Sequence, residues 1–532
     1  MKQYLRVLIQ CFLSLSTFVV TQTSAAWGDK AEPAVSDFNR DTLVIRVEPD
    51  STFQVIDNFG ASDAWTCQYV GCWDDKVKNK IADLLFSMGK NASGDPKGIG
   101  LSAWRFNIGA GSGQQGEKSG IMDVWRRAET FLQENGMYDF NGAAGQTWFL
   151  RAAKRRGVSE FIGFCNSAPY MMTKNGLTFS TGGQTNLAPG QYGAFSDYLI
   201  KVVDGIKKKA GVDLDYISPV NEPQWDWSDS SQEGSPYSNK EIAALAKVLD
   251  ARLTKAGLKT KISLAEAGQL NYLYEGAGKP QRGRQLQSFF SGNDSTSLLG
   301  LAHVDHCITA HSYFTTSPFG EAIRQRQKLA DSLKVLQSHS GLKDLRYWMS
   351  EYCILGDNFG EINGAHRDLG MAPALYVAKA IHMDLTYAEA SAWQWWLGIS
   401  AYDYKDGLIY VDKTQPTGKF YESKMLWALG NYSRFVRPGF IRINSEVSGR
   451  AVTDSSILVS SFKDRASAKL ALVIVNLGNT PRVISVGNDR HLRIRNKYVT
   501  SVNYNLKRFK IKRGRDIQLP SRSVITLTGV YR

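Results

Sequence analysis

Short apolar runs separated by longer amphipathic stretches recur through the middle of the chain. The runs predict eight strands, at residues 58–62, 101–107, 161–166, 217–221, 262–266, 307–311, 347–351 and 391–396. The stretches between them predict helices at 74–87, 125–134, 147–156, 192–209, 239–256, 321–339 and 374–385. Because parallel strands need crossover connections that are usually helical, this alternation predicts an α/β fold with a (β/α)₈ TIM barrel.

The two ends of the chain have a different pattern. Residues 42–56 alternate apolar and polar side chains, which predicts one or two strands. From about residue 433 the helical stretches stop, and β-like runs follow at 457–462, 470–475, 483–486, 493–499 and 524–528. We therefore predict a (β/α)₈ barrel over 57–432 and an attached side β-domain of β-sandwich type over 433–532, which the strand or strands at 42–56 join.

The first 26 residues have the pattern of a secretory signal peptide. Lys2 and Arg6 precede a mostly apolar run at 7–20, and small residues at 23–26 offer a cleavage site. The run is interrupted by polar residues, and no later segment reaches about 18 consecutive apolar residues. We expect an exported protein, periplasmic or secreted, with no integral membrane segment in the mature chain.

The net charge of +14 is concentrated at the C-terminal end of the chain. Residues 434–532 carry 20 Lys and Arg against 5 Asp and Glu, and the rest of the chain is close to neutral. This basic domain could contact an anionic polymer, or the charge could serve solubility alone. Nucleic acid is not an expected partner, because the chain has an export signal and no recognisable nucleic-acid-binding motif.

Five cysteines follow the predicted signal peptide. Cys67 and Cys72 lie close enough in sequence to close one loop, and export permits disulfides, so they form the candidate disulfide. Buried free thiols are expected at the remaining positions, which fall at or near predicted strands: Cys165, Cys307 and Cys353. No Cys/His spacing resembles a zinc site and no Asp-rich or His-rich cluster occurs, so no metal or cofactor is expected.

Two glutamates follow the ends of predicted barrel strands. Glu222 comes directly after the fourth strand, within an Asn-Glu-Pro tripeptide, and Glu351 ends the seventh. The carboxyl ends of barrel strands meet at one mouth, where such a pair can carry out glycoside hydrolysis. Glu266 ends the fifth strand and is a rival carboxylate, which could instead bind a sugar hydroxyl or pair with a basic neighbour.

The chain resembles glycoside hydrolase family 30 over nearly all of its mature length. The resemblance lies in the segments at 59–62, 104–107, 166–172, 221–225, 311–313 and 350–352, which read Phe-Gly-Ala-Ser, Trp-Arg-Phe-Asn, Asn-Ser-Ala-Pro-Tyr-Met-Met, Asn-Glu-Pro-Gln-Trp, His-Ser-Tyr and Ser-Glu-Tyr. It implies a retaining (β/α)₈ enzyme with a side β-domain. In that frame Glu222 is the acid/base and Glu351 is the nucleophile.

Further substrate-binding candidates surround this pair. Arg105 could keep Glu351 ionised or form a structural ion pair, and Tyr313 could donate a hydrogen bond to Glu351. His311 could orient that network or touch sugar hydroxyls, and Asn221 could bind the sugar 2-hydroxyl. Trp395, at the end of the eighth strand, is expected to form the apolar floor of a subsite. The other subsite candidates are Asp63, Trp65, Asn166 and Trp225.

Two loop segments narrow the expected substrate. The loop at 182–187 and the Glu-Gly pair at 233–234 resemble the β-1,6-galactanase branch of the family. We therefore expect an endo-β-1,6-galactanase acting on arabinogalactan side chains, with a polysaccharide or oligosaccharide as its partner. The alternatives are a β-1,6-glucanase, a glucosylceramidase or a xylanase. Two other classes are a non-catalytic carbohydrate-binding protein and, from the C-terminal charge alone, a basic adhesion protein.

Overall fold

A computed structural model describes residues 42–292, 295–339, 341–448, 456–464, 466–487, 492–512 and 516–531. The predicted signal peptide at 1–26 lies outside the described residues. Eight parallel strands close into a barrel, and a nine-stranded sheet forms a separate β-rich domain. The predicted fold class is therefore confirmed.

The barrel strands follow one another around the ring in chain order. After β1 (Leu43–Val55), which belongs to the second domain, they are β2 (Asn58–Ser62), β3 (Ala103–Asn107), β4 (Glu160–Phe164), β5 (Tyr216–Ser218), β6 (Lys261–Ala267), β7 (Val304–His311), β8 (Arg346–Tyr352) and β9 (Ala392–Ser400). The ring closes because β9 pairs with both β2 and β8. Two further strands extend the sheet beyond β9, namely β10 (Gly407–Val411) and β11 (Phe420–Glu422).

Ten helices occur in the described chain. They are α1 (Thr66–Val70), α2 (Asp75–Phe86), α3 (Ser112–Gln115), α4 (Ala144–Arg155), α5 (Tyr192–Ala210), α6 (Asn239–Ala256), α7 (Gln285–Phe290), α8 (Phe319–Gln337), α9 (Met371–Tyr387) and α10 (Lys424–Ser433). Helix α6 begins at a capping box, in which Ser238 and Glu241 each bond the other's backbone N–H, and it ends at Gly257 with φ +63°. None of the described helices has the length and apolar character needed to span a membrane.

The helix predicted over 125–134 is wrong. Only Val124–Arg126 forms a short 3₁₀ turn, in which the Asp123 carboxylate accepts a hydrogen bond from the N–H of Trp125. The Trp125 ring stacks on Tyr69 with a centroid distance of 4.2 Å, and the chain then follows a loop. Contacts with other parts of the chain, and not a helical apolar face, therefore account for the apolar residues of this segment.

The predicted disulfide between Cys67 and Cys72 is also wrong. Cys67 lies in α1 with its side chain buried, whereas Cys72 follows the helix and is exposed. The Cys72 Sγ lies 3.6 Å from the carbonyl oxygen of Gln68. Because the two side chains occupy opposite environments, they do not meet at bonding distance. The other cysteines are buried free thiols, as expected: Cys165, Cys307 and Cys353.

The second domain takes strands from both ends of the described chain. With β1 they are β12 (Ile441–Ser448), β13 (Ile457–Lys463), β14 (Lys469–Asn476), β15 (Arg482–Val486), β16 (Leu492–Thr500), β17 (Lys507–Lys510), β18 (Ile517–Leu519) and β19 (Ser523–Tyr531). The sheet order is β17-β16-β19-β14-β13-β12-β1-β15-β18. Ile484 and Val499, from opposite ends of this order, pack in one apolar cluster, so the sheet curls over on itself.

Strand β14 shows how the two domains pack. Its alternate side chains face opposite ways, as the two-residue period of a strand requires. The side chains that pack in the core of the β-domain are Leu470, Leu472 and Ile474. Those that pack in the core of the barrel are Ala471, Val473 and Val475. Helices α9 and α10 lie at this contact, so the barrel packs directly against one face of the sheet of the β-domain.

Arg434 ties the end of α10 to the loop that follows α2. Its Nη1 donates hydrogen bonds to the carbonyl oxygens of Ser87 (2.8 Å) and Gly98 (2.7 Å). Its Nη2 donates to those of Met88 (2.6 Å) and Gly89 (2.8 Å). The arginine is 5% exposed, so one buried cation satisfies four carbonyl groups.

We expect Arg434→Ala to lower the free energy of unfolding by about 3 kcal/mol, because the four carbonyls lose a charged donor. Urea unfolding followed by tryptophan fluorescence measures the change as a lower midpoint. Arg495→Ala is the matched control, since it removes an exposed arginine of the second domain and should leave the midpoint in place. Equal midpoints for the two variants would contradict the expectation.

Candidate active site

Glu222 and Glu351 face one another at the barrel mouth. Glu351 lies in β8, and Glu222 lies in the loop just after β5 with a φ of +43°. Both are buried, and one carboxylate oxygen of Glu222 lies within 4.8 Å of one of Glu351. This separation is closer to that of a retaining pair, about 5–5.5 Å, than to that of an inverting pair, about 6.5–9.5 Å.

Glu351 is held on both oxygens. Arg105, in β3, has no exposed surface, and its Nη1 donates to Oε2 at 2.8 Å. The Tyr313 hydroxyl donates to Oε1 at 2.9 Å. Burial alone would lower the pKa of Arg105, but the carboxylates of Glu266 and Glu351 raise it above its ordinary value. Arg105 is therefore a permanent cation that holds the Glu351 carboxylate in one orientation.

His311, the last residue of β7, lies between two carboxylates. Its Nδ1 is 2.8 Å from Oε1 of Glu222, and its Nε2 is 3.1 Å from Oε2 of Glu266. Its Nδ1 is also 3.7 Å from Oε1 of Glu351. Burial alone would lower the pKa of His311, but these carboxylates raise it to about 10. The ring is therefore an imidazolium at neutral pH and donates from both nitrogens.

The rival carboxylate Glu266 pairs with basic neighbours. Its Oε2 accepts hydrogen bonds from His311 and from the Ser350 hydroxyl, and it lies 3.5 Å from Nη2 of Arg105. Its own N–H donates to the Thr309 hydroxyl at 2.8 Å. Burial raises the pKa of Glu266, yet Arg105 and His311 outweigh burial and lower it to about 2. Of the two roles left open by the sequence, the structure shows the ion pair.

Glu222 has the opposite balance. Burial raises its pKa, the hydrogen bond from His311 lowers it, and the charge of Glu351 raises it again, with a net upward shift. The backbone of Glu222 is fixed as well. Its N–H donates to the Glu266 carbonyl at 2.8 Å, and its own carbonyl accepts from the Trp227 indole at 3.0 Å. The mouth therefore holds two glutamates whose environments shift their pKa values apart, namely Glu222 upward and Glu266 downward.

Several buried polar atoms of the predicted subsite residues have no hydrogen-bond partner within the described chain: Asp63 Oδ2, Trp65 Nε1, Asn166 Nδ2 and Asn221 Oδ1. The other amide atoms of the two asparagines bond each other, with Asn221 Nδ2 donating to Asn166 Oδ1 at 3.1 Å. Burial raises the pKa of Asp63 to about 7, although the Asn107 N–H donates to its Oδ1. Because buried polar groups are usually paired, these atoms mark a part of the mouth whose hydrogen-bonding capacity is not satisfied within the described chain.

Trp395 is not the last residue of its strand as predicted, because β9 continues to Ser400. Its ring has no exposed surface, and its indole donates to the Asp406 carbonyl at 2.6 Å. It therefore lies beneath the mouth and not on its surface. Trp65 packs edge-on against Trp396 with a centroid distance of 5.3 Å.

The remaining tryptophan candidate, Trp225, is half-buried and covers Gly268. A Cβ on that glycine would come within 2.5 Å of the Trp225 indole nitrogen, so the close approach depends on glycine. Both residues lie on loops next to the mouth, since Trp225 follows Glu222 and Gly268 follows β6. The indole can therefore border the cleft on the side of Glu222.

The sequence pattern missed the role of Glu233. This buried carboxylate accepts hydrogen bonds from the N–H groups of Ala110 (2.9 Å) and Ser112 (3.1 Å) and from the Ser112 hydroxyl (2.6 Å). It thereby ties the loop after β5, which carries Glu222, to the loop that directly follows β3, the strand that carries Arg105. The Glu-Gly pair was visible in the sequence, but nothing there indicated that its carboxylate turns inward.

The Glu222, His311 and Glu351 side chains also have the spacing of metal ligands, with one candidate atom from each lying within 4.8 Å of the others. Two features oppose a cation there. An imidazolium has no free lone pair, and Arg105 already places a positive charge 2.8 Å from Glu351. The three residues therefore act as parts of a charge network that contains its own cations.

A (β/α)₈ barrel whose mouth holds two opposed carboxylates beside unpaired polar atoms has the architecture of a glycosidase. The O-Glycosyl hydrolase family 30 model matches residues 42–410, and the chain belongs to glycoside hydrolase family 30. The resemblance seen in the sequence and the enzyme class, a glycosidase, are both confirmed.

Three relatives illustrate the range of similarity. An endo-β-1,6-galactanase of Hypocrea rufa is 22% identical over 460 residues, which cover 84% of this chain and 83% of that protein. The crystal structure of a conserved exported protein from Bacteroides fragilis is 33% identical with a TM-score of 0.83, and the match covers 91% of this chain and 100% of that one. An endo-β-1,6-glucanase structure is 17% identical with a TM-score of 0.62, covering 92% and 94% of the two chains.

The raised pKa of His311 predicts how stability depends on pH. The folded-state pKa of about 10 lies above the ordinary value of 6.5, so the stability that the charged ring contributes is complete below pH 6.5 and is lost as pH rises towards 10. We expect the difference in urea midpoint between the wild type and His311→Gln to be largest near pH 6 and to shrink steadily up to pH 10. A difference that is constant with pH would contradict a charged His311.

Proposed function

We propose that this protein is a retaining endo-β-1,6-galactanase that acts on arabinogalactan side chains. The observation that carries the chemistry is the pair of buried carboxylates, Glu222 and Glu351, with oxygens within 4.8 Å of one another. The galactanase from Hypocrea rufa supports the choice of sugar, because its similarity extends over 84% of this chain.

In the first step Glu351 attacks the anomeric carbon and Glu222 protonates the leaving oxygen. Arg105 and Tyr313 hold the attacking carboxylate in one orientation, since each donates to one of its oxygens. The upward shift in the pKa of Glu222 favours its protonated form, as the role of acid requires. The bond from carbon to the leaving oxygen breaks as the ester to Glu351 forms.

In the second step a water hydrolyses this ester. Once Glu351 is esterified its negative charge is gone, so one cause of the raised pKa of Glu222 disappears. Glu222 then accepts a proton from the attacking water, and Glu351 leaves as a carboxylate. Two displacements at the same carbon return the anomeric configuration to that of the substrate.

The two galactanase-like loop segments lie against one another. The N–H of Asn186 donates to the Ser235 hydroxyl at 3.0 Å, and Phe179 forms a β-bridge with Gly234. The segment at 233–234 is in turn anchored to the mouth through Glu233. The loops that resemble the galactanase branch therefore form one unit beside the acid/base, where they can select the sugar. A β-1,6-glucanase is the second candidate, since the glucanase structure shares the fold.

Export is a second part of the proposal. The signal-like pattern of residues 1–26 supports it, as does the similarity to the conserved exported protein from Bacteroides fragilis. An exported enzyme would meet polysaccharide outside the cytoplasm. Contact of the basic second domain with anionic polymer remains a prediction.

The deciding experiment is product analysis after incubating the mature protein with debranched arabinogalactan and, separately, with β-1,6-glucan. We expect a ladder of β-1,6-galacto-oligosaccharides from the first and no products from the second. Gluco-oligosaccharides from the second alone would replace the galactanase proposal with the glucanase. Glu351→Gln should lower turnover by at least about 1,000-fold without unfolding the barrel, whereas a carbohydrate-binding protein would keep its affinity unchanged.

Endo action is supported by apolar side chains on the loops that follow β7 and β8. Phe314, which follows Tyr313 and has a φ of +57°, is 39% exposed. Leu355 is 38% exposed and Phe359 is 72% exposed, the latter with a φ of +53°. We call these three residues the apolar rim. Apolar faces beside a cleft can stack on the apolar faces of sugar rings, as an extended glycan requires.

The loops of the apolar rim are firmly held. The hydroxyl of Thr316 donates to the Asn358 side chain at 3.3 Å, and that of Ser317 donates to Glu361 at 2.6 Å. Glu361 also forms an ion pair with the buried Lys379 of α9. These contacts fix the loop that carries Phe359 while its ring stays exposed, so the ring is available to stack on a bound sugar.

We expect Phe359→Ala to raise KM for long β-1,6-galacto-oligosaccharides by about tenfold and to leave KM for the disaccharide unchanged. The variant removes the aromatic ring on which a sugar ring would stack, and the comparable stacking of a nucleobase on an aromatic side chain is worth about 1–3 kcal/mol. Val335→Ala is the matched control, since Val335 is 62% exposed on α8 outside the cleft. An unchanged dependence of KM on chain length would contradict a role for the rim.

A further inference from the structure

Glu266 has no part in the double displacement, yet it is a third buried carboxylate at the same mouth. We call Arg105, Glu222, Glu266, His311 and Glu351 the charge cluster. Glu266 contacts both cations of this cluster, with Oε2 at 3.1 Å from His311 Nε2 and 3.5 Å from Arg105 Nη2. It is 1% exposed, so its charge acts almost entirely on these neighbours.

The hydrogen bonds of the cluster restrict where protons can be. Because Nε2 of His311 faces an ionised Glu266, that nitrogen must carry a hydrogen. A neutral ring would then have a lone pair on Nδ1, and the acid proton of Glu222 would turn towards it, away from the leaving group. A charged ring instead donates from Nδ1 to Oε1 of Glu222, 2.8 Å away, and leaves the acid proton to Oε2.

The charges of the cluster support the arrangement in which the His311 ring is charged and donates to Glu222. Arg105 and His311 supply two positive charges, and Glu266 and Glu351 supply two negative ones. With Glu222 protonated, the cluster is neutral, which is the least costly state for a buried site. Without Glu266 the same proton arrangement would leave an uncompensated positive charge, which His311 or Glu222 would relieve by losing a proton.

We propose that Glu266 is a positioning residue for the acid step: it keeps His311 a donor on both sides, so that His311 directs the acid proton of Glu222 to Oε2. The Glu266 carbonyl contributes to the same end, because it accepts the N–H of Glu222 at 2.8 Å and fixes the backbone of the acid. The inference rests on the proposed role of Glu222 and adds a third glutamate to it.

The first test compares the pH profiles of wild type and Glu266→Gln. The titratable groups that face His311 are Glu222, Glu266, Glu351 and Tyr313, and the charged Arg105 contacts two of them, Glu266 and Glu351. Removing one negative charge from this set makes every remaining proton easier to lose, so the basic limb of kcat/KM should move to lower pH by about one unit. A basic limb that stays in place would overturn the inference.

The second test uses leaving groups of different basicity. With β-1,6-galactotetraose, which needs protonation of the leaving oxygen, Glu266→Gln should lower kcat by about 100-fold with little change in KM. With 4-nitrophenyl β-1,6-galactobioside, whose leaving group needs little protonation, Glu266→Gln should lower the rate of the first displacement by less than about threefold. Equal losses on both substrates would show a merely structural role and overturn the inference.

Two controls accompany these tests. Glu266→Asp keeps the charge and should restore the basic limb towards that of the wild type. Glu160→Gln makes the same chemical change at the start of β4, at the opposite end of the barrel, and should leave the limb in place. If wild type turns over neither galactoside, the proposed substrate fails, and the same comparison can be run on the glycan that it does cleave.

A measurement on the wild type covers the case in which Glu266→Gln does not fold. In protein labelled with ¹⁵N at histidine, the His311 signals, identified by their loss in His311→Gln, should show both ring nitrogens protonated at pH 8. A ring with one unprotonated nitrogen at that pH would overturn the inference. This measurement needs no substitution in the charge cluster.

Discussion

Two buried cations hold three carboxylates together at one end of a barrel, and the geometry of the mouth depends on that balance. Arg105 comes from β3, His311 from β7, and the glutamates from β6, β8 and the loop after β5. Each of these ions would be costly to bury alone, so each is held in place by the presence of the others. The barrel makes the arrangement possible, because it brings the carboxyl ends of five different strands to one small space without any loop having to fold inward.

The same balance of charges gives the buried glutamates different pKa values, although their side chains are chemically identical. Glu266 faces a guanidinium and an imidazolium and is ionised, whereas Glu222 faces the imidazolium alone and lies beside a second carboxylate. Glu233 is buried and accepts hydrogen bonds from backbone N–H groups, and burial raises its pKa to about 7. The neighbours of each buried glutamate therefore set its proton affinity, which is raised for Glu222 and Glu233 and lowered for Glu266.

The sequence predicted what depends on strand order and strand ends. The barrel, the positions of Glu222 and Glu351, and the contacts of Arg105 and Tyr313 with Glu351 follow from placing polar residues at the carboxyl ends of parallel strands. Trp395 was placed less well, because a strand of nine wholly buried residues has no pattern that marks its end.

The errors lie where contacts distant in sequence decide the local structure. The segment at 125–134 has enough apolar residues for a helix, but Trp125 packs against Tyr69 and the chain follows a loop after a short 3₁₀ turn. The proximity of Cys67 and Cys72 in sequence suggested a disulfide, but Cys67 of helix α1 is buried, whereas Cys72, which follows the helix, is exposed. The inward turn of Glu233 likewise depends on a partner loop more than 100 residues earlier in the chain.

Strand β1 has a consequence for how this chain is made. It is the first strand of the described protein to leave the ribosome, yet its neighbours in the sheet are β12 and β15, which follow about 400 and about 440 residues later. During that interval both of its edges are unpaired, and an unpaired edge is a template for pairing with another chain. The barrel can begin to assemble during synthesis, whereas the second domain must wait for the last strands. Nascent chains that end before residue 441 thus expose β1 without its partner strand. Such chains are suited to bind chaperones that recognise extended segments and prevent them from pairing with other chains.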